Sequence, residues 1–358
     1  MKRTLVCLAL LVLFASGSFA VSWGFGVRNM GMGGTGIATA NDISAAYFNP
    51  AGLMFGADNI DCQIFAGGTT GQLTELTNAA TDTDFFSNNF DTDLNINATA
   101  NAMLGVSVRK VGVTLLAQGN GIFVHPANSL TSGSVLASAT VMAPITLGSS
   151  FSTPGLPVAG IAFGVNLKPI QTFGGGVIVH SGAGNSLQVS STGSGFGFDI
   201  GMETKVTPFV TVGAVVRNLS SSVSIKTKTQ HVTVAPDGTL TDVGAETSAT
   251  TNDTLPPETG IGVGVSLPVT GTLIAVDAEN YSIPDDKSYN DFHVGIEQPL
   301  LGLLVCRAGY FTYGPTEDTY YTYGFGLNVG PANIGLAAAN STKDSNFSVA
   351  SAQVGVAF

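Results

Sequence analysis

The chain has 358 residues, of which 44% are hydrophobic and only 10% are charged, and its formal net charge is −11. Soluble domains carry roughly 25% charged residues, so an ordinary soluble surface is excluded. The acidic balance also argues against nucleic acid as a partner, because phosphates require a basic face. After residue 20 the chain lacks the run of about 18 apolar residues that a membrane-spanning helix needs. A chain that is apolar overall without such runs is typical of a transmembrane β-barrel, in which lipid-facing and lumen-facing side chains alternate.

The first twenty residues predict a cleaved signal peptide. Lys2 and Arg3 give a basic start, residues 4–15 are apolar, and the small-x-small sequence Ser18-Phe19-Ala20 is a cleavage site. We therefore expect export from the cytoplasm. Two further cysteines, Cys62 and Cys306, fall on apolar strand faces far apart in the predicted strand order. They are expected to face lipid rather than to form a disulfide.

Period-two alternation recurs from residue 59 to the C-terminus and predicts an antiparallel barrel of about fourteen strands. In 319–329, for example, Tyr321, Tyr323 and Phe325 share one face, while Gly324 and Gly326 share the other. An even count is what a single-chain outer-membrane barrel requires. The predicted strands are 59–70, 95–108, 110–122, 134–149, 158–169, 194–204, 208–218, 257–267, 271–281, 289–298, 302–312, 319–329, 333–340 and 350–358.

Short and long connections alternate along this series. Outer-membrane barrels have short periplasmic turns and long external loops, so both termini are predicted to be periplasmic. The longest connection, 219–256, is interpreted as an ordinary external loop, with a hairpin that uses Ser222–Gln230 as one arm as the alternative. The other predicted external loops are 71–94, 123–133, 170–193, 282–290, 312–319 and 340–346.

Residues 21–58 do not alternate. A short helix is expected over 43–48, capped by Asn41 or Asp42 and ended by Pro50. The spacing Gly31-x-Gly33-x-x-Gly36 matches a dinucleotide fingerprint, but no strand-helix-strand unit surrounds it. These glycines are interpreted as allowing tight backbone packing in a narrow space.

The stretch GMGGTGIATANDISAAYFNPAGL, residues 31–53, resembles the N-terminal signature of the FadL-like outer-membrane proteins, and Asn49-Pro50-Ala51-Gly52-Leu53 is its most specific part. The stretch Gly302–Tyr310 and the terminal Phe358 also resemble that group. The resemblance implies a fourteen-stranded barrel with an inward-folded hatch. We therefore expect a signal peptide over 1–20, an N-terminal hatch over 21–58 and a transmembrane β-barrel over 59–358. The expected hatch-motif residues are Gly31, Gly33, Gly34, Asn49, Pro50 and Gly52.

Charged side chains collect on the strand faces opposite the apolar ones. A charge facing lipid costs ~2–4 kcal/mol for Arg or Lys at mid-depth, so these faces are assigned to the lumen. Glu297 and Arg307 lie on neighbouring strands, as do Glu203 and Arg217. We interpret these charges as pairing with one another in a filled barrel; the alternative is a lining that guides a solute or holds the hatch. The predicted lumen residues are Asp199, Glu203, Arg217, Asp277, Glu279, Asp291, His293, Glu297 and Arg307.

No arrangement of residues predicts catalysis, a metal site or a cofactor. Asp277 and Glu279 share a strand face, but no oriented nucleophile or pocket accompanies them, and the four histidines are scattered. Four bulky apolar residues are predicted to face inward, either as contacts for an oily ligand or as packing against the hatch. They are Phe65, Leu116, Val305 and Phe311.

The C-terminal pattern Val354-x-Val356-x-Phe358 resembles the signal read by the barrel-assembly machinery. The expected partners are therefore that machinery, outer-membrane lipid, and either a small hydrophobic solute or a secreted protein. The leading hypothesis is passage of small hydrophobic solutes across a bacterial outer membrane by loosening of the hatch, without enzymatic activity. The alternative is a PorV-type scaffold that binds secreted or surface-attached proteins and transports nothing small.

Overall fold

The computed structural model describes residues 24–56, 60–69, 93–108, 110–127, 133–152, 160–179, 186–234, 240–242, 244–282, 288–315, 317–343 and 348–358. The predicted signal peptide and most of the predicted loop 71–94 lie outside these ranges. The helical elements are α1 (Val27–Gly31), α2 (Ala45–Phe48) and a 3₁₀ turn (Gly52–Phe55). Among the described residues, no helix is long and apolar enough to cross a membrane.

The strands are β1 (Ile60–Thr69), β2 (Leu94–Val108), β3 (Val111–His125), β4 (Gly133–Met142), β5 (Ile145–Ser152), β6 (Gly160–Val179), β7 (Ser186–Thr207), β8 (Val210–Val234), β9 (Leu240–Asp242), β10 (Thr247–Asp253), β11 (Glu258–Ser266), β12 (Leu273–Ser282), β13 (Ser288–Leu300), β14 (Leu304–Tyr313), β15 (Asp318–Val329), β16 (Ala332–Ser341) and β17 (Ser348–Ala357).

These strands form one closed antiparallel barrel with fourteen wall positions. Strands β4 and β5 share one position because both pair with β3 and β6. Strands β10 and β11 share another position beside β8. Strand β9 only extends the far end of β8. The barrel closes where β1 pairs with β17, so the predicted strand count is confirmed.

The outer surface is apolar and the inner surface is polar or tightly packed. Along β17, Val354 is 54% exposed, whereas its neighbour Gln353 is 8% exposed and points inward. A lipid exterior and an aqueous or filled lumen impose this alternation on each strand. Cys62 and Cys306 are half-buried and exposed, respectively, and neither forms a disulfide.

The barrel has one end of short turns and one end of extended strands. Turns at the first end use residues with positive φ, such as Lys110 and Gly302. At the other end, the interpretation of 219–256 as an ordinary loop is wrong. Strand β8 continues to Val234, and its part Val223–Thr229 pairs with β10, so the hairpin alternative is correct. The predicted loop 170–193 is likewise mostly strand, since β6 and β7 pair as far as Ile178 and Leu187.

Residues 24–56, called the inner segment below, lie inside the short-turn half of the barrel. They contact the wall at positions where the strands present glycine inward. A methyl group on Gly164 would overlap Pro50, and one on Gly213 would overlap the carbonyl of Ile37. We call five such residues the wall glycines: Gly164, Gly201, Gly213, Gly295 and Gly309.

Helix α2 ends where the sequence predicts, but it begins two residues later, at Ala45. The predicted cap by Asn41 or Asp42 is wrong, because the N-cap is Ser44 and no side chain makes a capping bond. The Asp42 carboxylate accepts a hydrogen bond from the backbone N–H of Ser44 at 2.9 Å and another from the Ser44 hydroxyl. Asn49, which precedes Pro50, is extended with φ −159°, because a following proline disfavours helical backbone. The helix therefore ends at Phe48. Helix α1, by contrast, has no counterpart in the sequence prediction.

Candidate functional site

The contact between the inner segment and the wall is the candidate site, and an ion pair lies at its edge. Arg28 donates through Nε and Nη2 to the two carboxylate oxygens of Glu297, both at 3.0 Å. Glu297 also accepts from Arg307 Nε at 2.7 Å, across the β13–β14 register that places the two residues opposite each other. Burial alone would lower the pKa of Arg28, but the Glu297 carboxylate outweighs this effect and raises the pKa.

Wall carboxylates also bind backbone N–H groups of the inner segment. Asp277 Oδ2 accepts from the N–H groups of Gly36 and Ile37 at 2.7 and 2.9 Å. Asp61 Oδ2 accepts from the N–H of Ile43 at 2.8 Å. Hydrogen bonds to charged groups contribute about 1.5–3 kcal/mol each. These carboxylates thus fix the path of the segment without needing a particular side chain on it.

Asn49 and Pro50 dock the segment on the opposite wall. Asn49 is fully buried, and its Nδ2 donates to the carbonyls of Ile37 and Met202 at 2.8 and 3.1 Å. Its Oδ1 accepts from the N–H of Ala51. Pro50 lies against the bare backbone of Gly164, and Gly52 lies beside the carboxylate of Glu203. The predicted hatch-motif residues Asn49, Pro50 and Gly52 thus lie where the segment contacts strands β6 and β7.

The predicted glycines of the segment lie against β13, β14 and β15. Gly31 is in contact with the backbone of Gly324, and its carbonyl accepts from the hydroxyl of Thr322. Gly33, with φ +69°, lies against the backbone of Tyr310, and its N–H donates to Thr322 Oγ1 at 2.9 Å. Gly34, with φ +80°, leaves no room for a Cβ beside His293. Close backbone approach is therefore what these positions require.

A second charged network lies on the inner face of the neighbouring strands β6 and β7, beside helix α2. Lys168 Nζ lies 2.6 Å from Asp199 Oδ1, and Asn166 Nδ2 donates to Asp199 Oδ2 at 2.9 Å. Asn166 also donates to the carbonyl of Ala46 at 2.8 Å. The side chains of Lys168 and Asp199 are 7% and 2% exposed. The network thus links the wall to the segment at a buried position.

Arg217 does not pair with Glu203, although the two lie on neighbouring strands. It binds Glu258 at 2.9 Å and Glu279 at 2.6 Å. The reason is the register: Arg217 lies opposite Glu258, whereas Glu203 lies opposite Gly213. Within the described residues, Glu203 Oε2 has no hydrogen-bond partner.

The remaining predicted lumen residues lie on β13. Asp291 accepts from the Tyr281 hydroxyl at 3.0 Å and from the N–H of Gly314 at 2.7 Å. His293 Nδ1 lies 2.7 Å from the carbonyl oxygen of Gly33. Its ring stacks on Phe311 with ring centroids 5.5 Å apart.

A cluster of buried apolar side chains joins the segment to the wall. Phe65, Leu116 and Phe311 belong to it, together with Phe25 and Met30 of the segment. The rings of Phe25 and Phe65 are 6.2 Å apart. Val305 is also buried, at 6% exposure, but lies outside this cluster. Three of the four predicted apolar residues therefore pack in the same cluster as side chains of the segment, and Val305 does not.

A cavity of about 30 Å³ opens between the segment and the wall. A pocket that holds benzene has a volume of about 150 Å³, so a solute of that size requires the segment to move. The cavity is lined by Gly24, Met30, Gly34, Tyr47, Phe48, Glu279, His293 and Phe311.

Sequence reasoning missed Arg28, Lys168 and the wall glycines. Lys168 shares a strand face with Asn166, so the alternation of β6 could have placed it inward. The wall glycines are small residues at inward positions on successive strands, which is a readable signal. Arg28 lies in a segment without periodicity, and nothing in the sequence pairs it with Glu297.

Among the described residues, no group of three or more His, Cys, Asp or Glu side chains is placed to hold a metal ion. No protein-family model matches the chain, and no curated protein matches it either.

Three solved structures share the architecture over nearly the whole chain. The Ralstonia pickettii toluene transporter TbuX aligns with a TM-score of 0.67 and 13% identity, over 94% of this chain and 98% of that one. The P. putida toluene transporter TodX aligns with a TM-score of 0.62 and 12% identity, over 94% and 99%. A Pseudomonas aeruginosa FadL homologue aligns with a TM-score of 0.61 and 12% identity, over 96% and 99%. The fold is therefore that of the FadL-like barrels.

Proposed function

We propose that this chain is a channel of the bacterial outer membrane through which small hydrophobic solutes pass when the inner segment, acting as a hatch, loosens from the wall. The observation that carries the proposal is the apolar cluster of Phe25, Phe65 and Phe311, in which side chains of the segment and of the wall pack together. Such side chains offer a hydrophobic solute a favourable environment once space opens beside them. Three solved structures of this fold, two of them named as toluene transporters, support the same function.

The closed arrangement of segment and wall accounts for selectivity by size, with no chemical reaction. In its closed form the cavity of about 30 Å³ excludes even a single aromatic ring. Hydrogen bonds and ion pairs hold the segment against the wall. A solute that enters between Phe25 and Phe311 therefore competes with these bonds for the position of the segment. The short turns and both chain ends would then face the periplasm, as in other outer-membrane barrels.

Movement of the segment can be tested by locking it to the wall. Val27 Cβ lies 3.4 Å from the position that a Cβ would take on Gly335, close to the ~3.5–4.5 Å spacing of disulfides. The variant Val27→Cys with Gly335→Cys, made in a background with Cys62→Ala and Cys306→Ala, should form that bond on oxidation. Uptake of ¹⁴C-toluene by cells with an intact outer membrane should fall to background when the bond forms and recover on reduction.

The single variants Val27→Cys and Gly335→Cys, treated with the same oxidant, serve as controls. Equal uptake in the oxidised and reduced double variant would contradict a moving hatch. If cells that contain the parent chain take up no more toluene than cells that lack this chain, the proposed channel function is contradicted. Co-purification of a secreted protein in that case would favour the scaffold alternative.

A further inference from the structure

The cavity beside the inner segment is bounded mainly by aromatic rings. Tyr47 and Phe48 come from the segment, and their rings are 4.9 Å apart at 89°. His293 and Phe311 come from the wall, and their rings stack at 13°. Met30 adds a thioether, which packs well against ring edges. Flat aromatic molecules suit such a surface, since rings favour offset-stacked and edge-to-face contacts.

His293 lines this cavity, and one of its two ring nitrogens is left without a hydrogen-bond partner among the described residues. A carbonyl oxygen can only accept, so the 2.7 Å contact with Gly33 requires that Nδ1 carries the proton. In the neutral ring, Nε2 is then a hydrogen-bond acceptor. Nε2 is buried, and it has no hydrogen-bond partner within the described ranges. A bound molecule with a donor group would satisfy it.

The charges around the cavity are mainly negative. Glu279 lines it directly. Asp277 lies opposite His293, and Asp291 lies opposite Glu279, in the β12–β13 register. The nearby cation, Arg217, already binds Glu258 and Glu279. A bound carboxylate would therefore be repelled, whereas a hydroxyl or ammonium group would be favoured.

We infer that this cavity, once enlarged by movement of the segment, selects an aromatic ring that carries a hydrogen-bond donor, of the phenol or benzylamine class, with His293 Nε2 as the acceptor. The inference rests on the proposed function, because ring entry needs the hatch to move. It goes further by distinguishing such solutes from plain hydrocarbons and from carboxylates.

The test compares phenol with toluene, which have nearly the same shape and differ in the donor. Affinities are measured calorimetrically on the purified full barrel in detergent, for the parent chain and for His293→Phe, which keeps a ring on Phe311 but removes the acceptor. The phenol-to-toluene affinity ratio should fall roughly three- to tenfold in His293→Phe, the value of one hydrogen bond. Tyr323→Phe, at a residue 56% exposed on the outer face, is the matched control and should leave the ratio unchanged.

A second comparison uses the parent chain alone and so does not depend on folding of the variant. Benzylamine should bind at least about tenfold more tightly than benzoate, because two rings of similar size differ mainly in charge. An unchanged phenol-to-toluene ratio in His293→Phe, or benzoate binding as tightly as benzylamine, would overturn the inference. If toluene uptake persists in either case, the proposed channel function is still supported. If the parent chain shows no toluene uptake, both the channel function and this inference are contradicted.

Discussion

Arg28 and Glu297, which are 269 residues apart in the chain, meet in a two-point ion pair at the boundary between the inner segment and strand β13. The remaining N–H groups of Arg28 Nη1 donate to the carbonyl of Thr39 and to Asn41 Oδ1, both at 3.1 Å. One guanidinium thus ties two parts of the segment to each other and to the wall. These bonds therefore hold the segment in its observed position.

Arg28→Ala should raise the resting ion conductance of the barrel in planar lipid bilayers. The change removes a bidentate pair, at a cost of about 1.5–3 kcal/mol in docking of the segment, while Glu297 keeps Arg307 as a partner. Lys228→Ala is the control: its pair with Glu246 is 45% and 47% exposed, and exposed pairs contribute only about 0–1 kcal/mol. Equal conductance of Arg28→Ala and the parent chain would argue against an electrostatic hold on the segment.

Gly201→Ala should lower the temperature at which the barrel unfolds, measured by its heat-dependent shift on gels. The added methyl group would overlap Asn49 Oδ1, and overpacking of this kind costs about 1–3 kcal/mol. Gly160→Ala makes the same change where the nearest atom, Phe151 O, is 3.4 Å away, and should leave the transition in place. The prediction is wrong if both variants unfold together.

Asn49→Asp should speed hydrogen exchange across residues 24–56. The change keeps the shape of the side chain but turns carboxylate oxygens toward the carbonyls of Ile37 and Met202, which Asn49 now serves as a donor. Asn41→Asp is the matched control, because Asn41 accepts from Arg28 and a carboxylate can keep that bond. Mass spectrometry of exchanged peptides would contradict the prediction if the two variants exchange alike.

Deletion of Phe358 should reduce the amount of barrel inserted in the membrane. Phe358 and Ile60 exchange backbone hydrogen bonds of 2.8 and 3.3 Å where the barrel closes. The side chain is 65% exposed, so its loss removes little packing. Phe358→Tyr retains an aromatic terminus and should insert normally. Fractionation showing full insertion of the deletion variant would remove the proposed assembly signal.

Much of the barrel could be predicted from alternation because lipid and lumen act on every residue of a spanning strand. In β13 and β14 the pattern places Glu297 and Arg307 on neighbouring strands, and the register of the structure then sets the two residues opposite each other. The same logic fails beyond the membrane. Residues 220–230 of β8 are mostly Ser, Thr and Lys, and only Val223 and Ile225 mark one face as apolar, so the contrast between the two faces is weak.

The inner segment could be predicted only as a motif. Its path depends on contacts such as Asp277 with the N–H groups of Gly36 and Ile37, where the segment contributes backbone alone. Backbone groups are the same at every residue, so sequence carries no record of which one a wall carboxylate binds. The Arg217 partners were missed for a related reason, since the residue opposite it, Glu258, lies on a strand that follows a long excursion of the chain.

The wall glycines have a mechanical consequence. Between most packed elements the side chains interdigitate, and separating the elements must pull each side chain out of its packing site. Gly164 and Gly309 meet the backbone of residues 33, 50 and 51, whereas Gly201 meets the side chain of Asn49. At the first two positions, therefore, no side chain of the wall interlocks with the segment. What holds the segment beside these glycines is therefore a set of polar bonds, such as those that Asn49 donates to Ile37 and Met202, and not side chains of the wall locked against it.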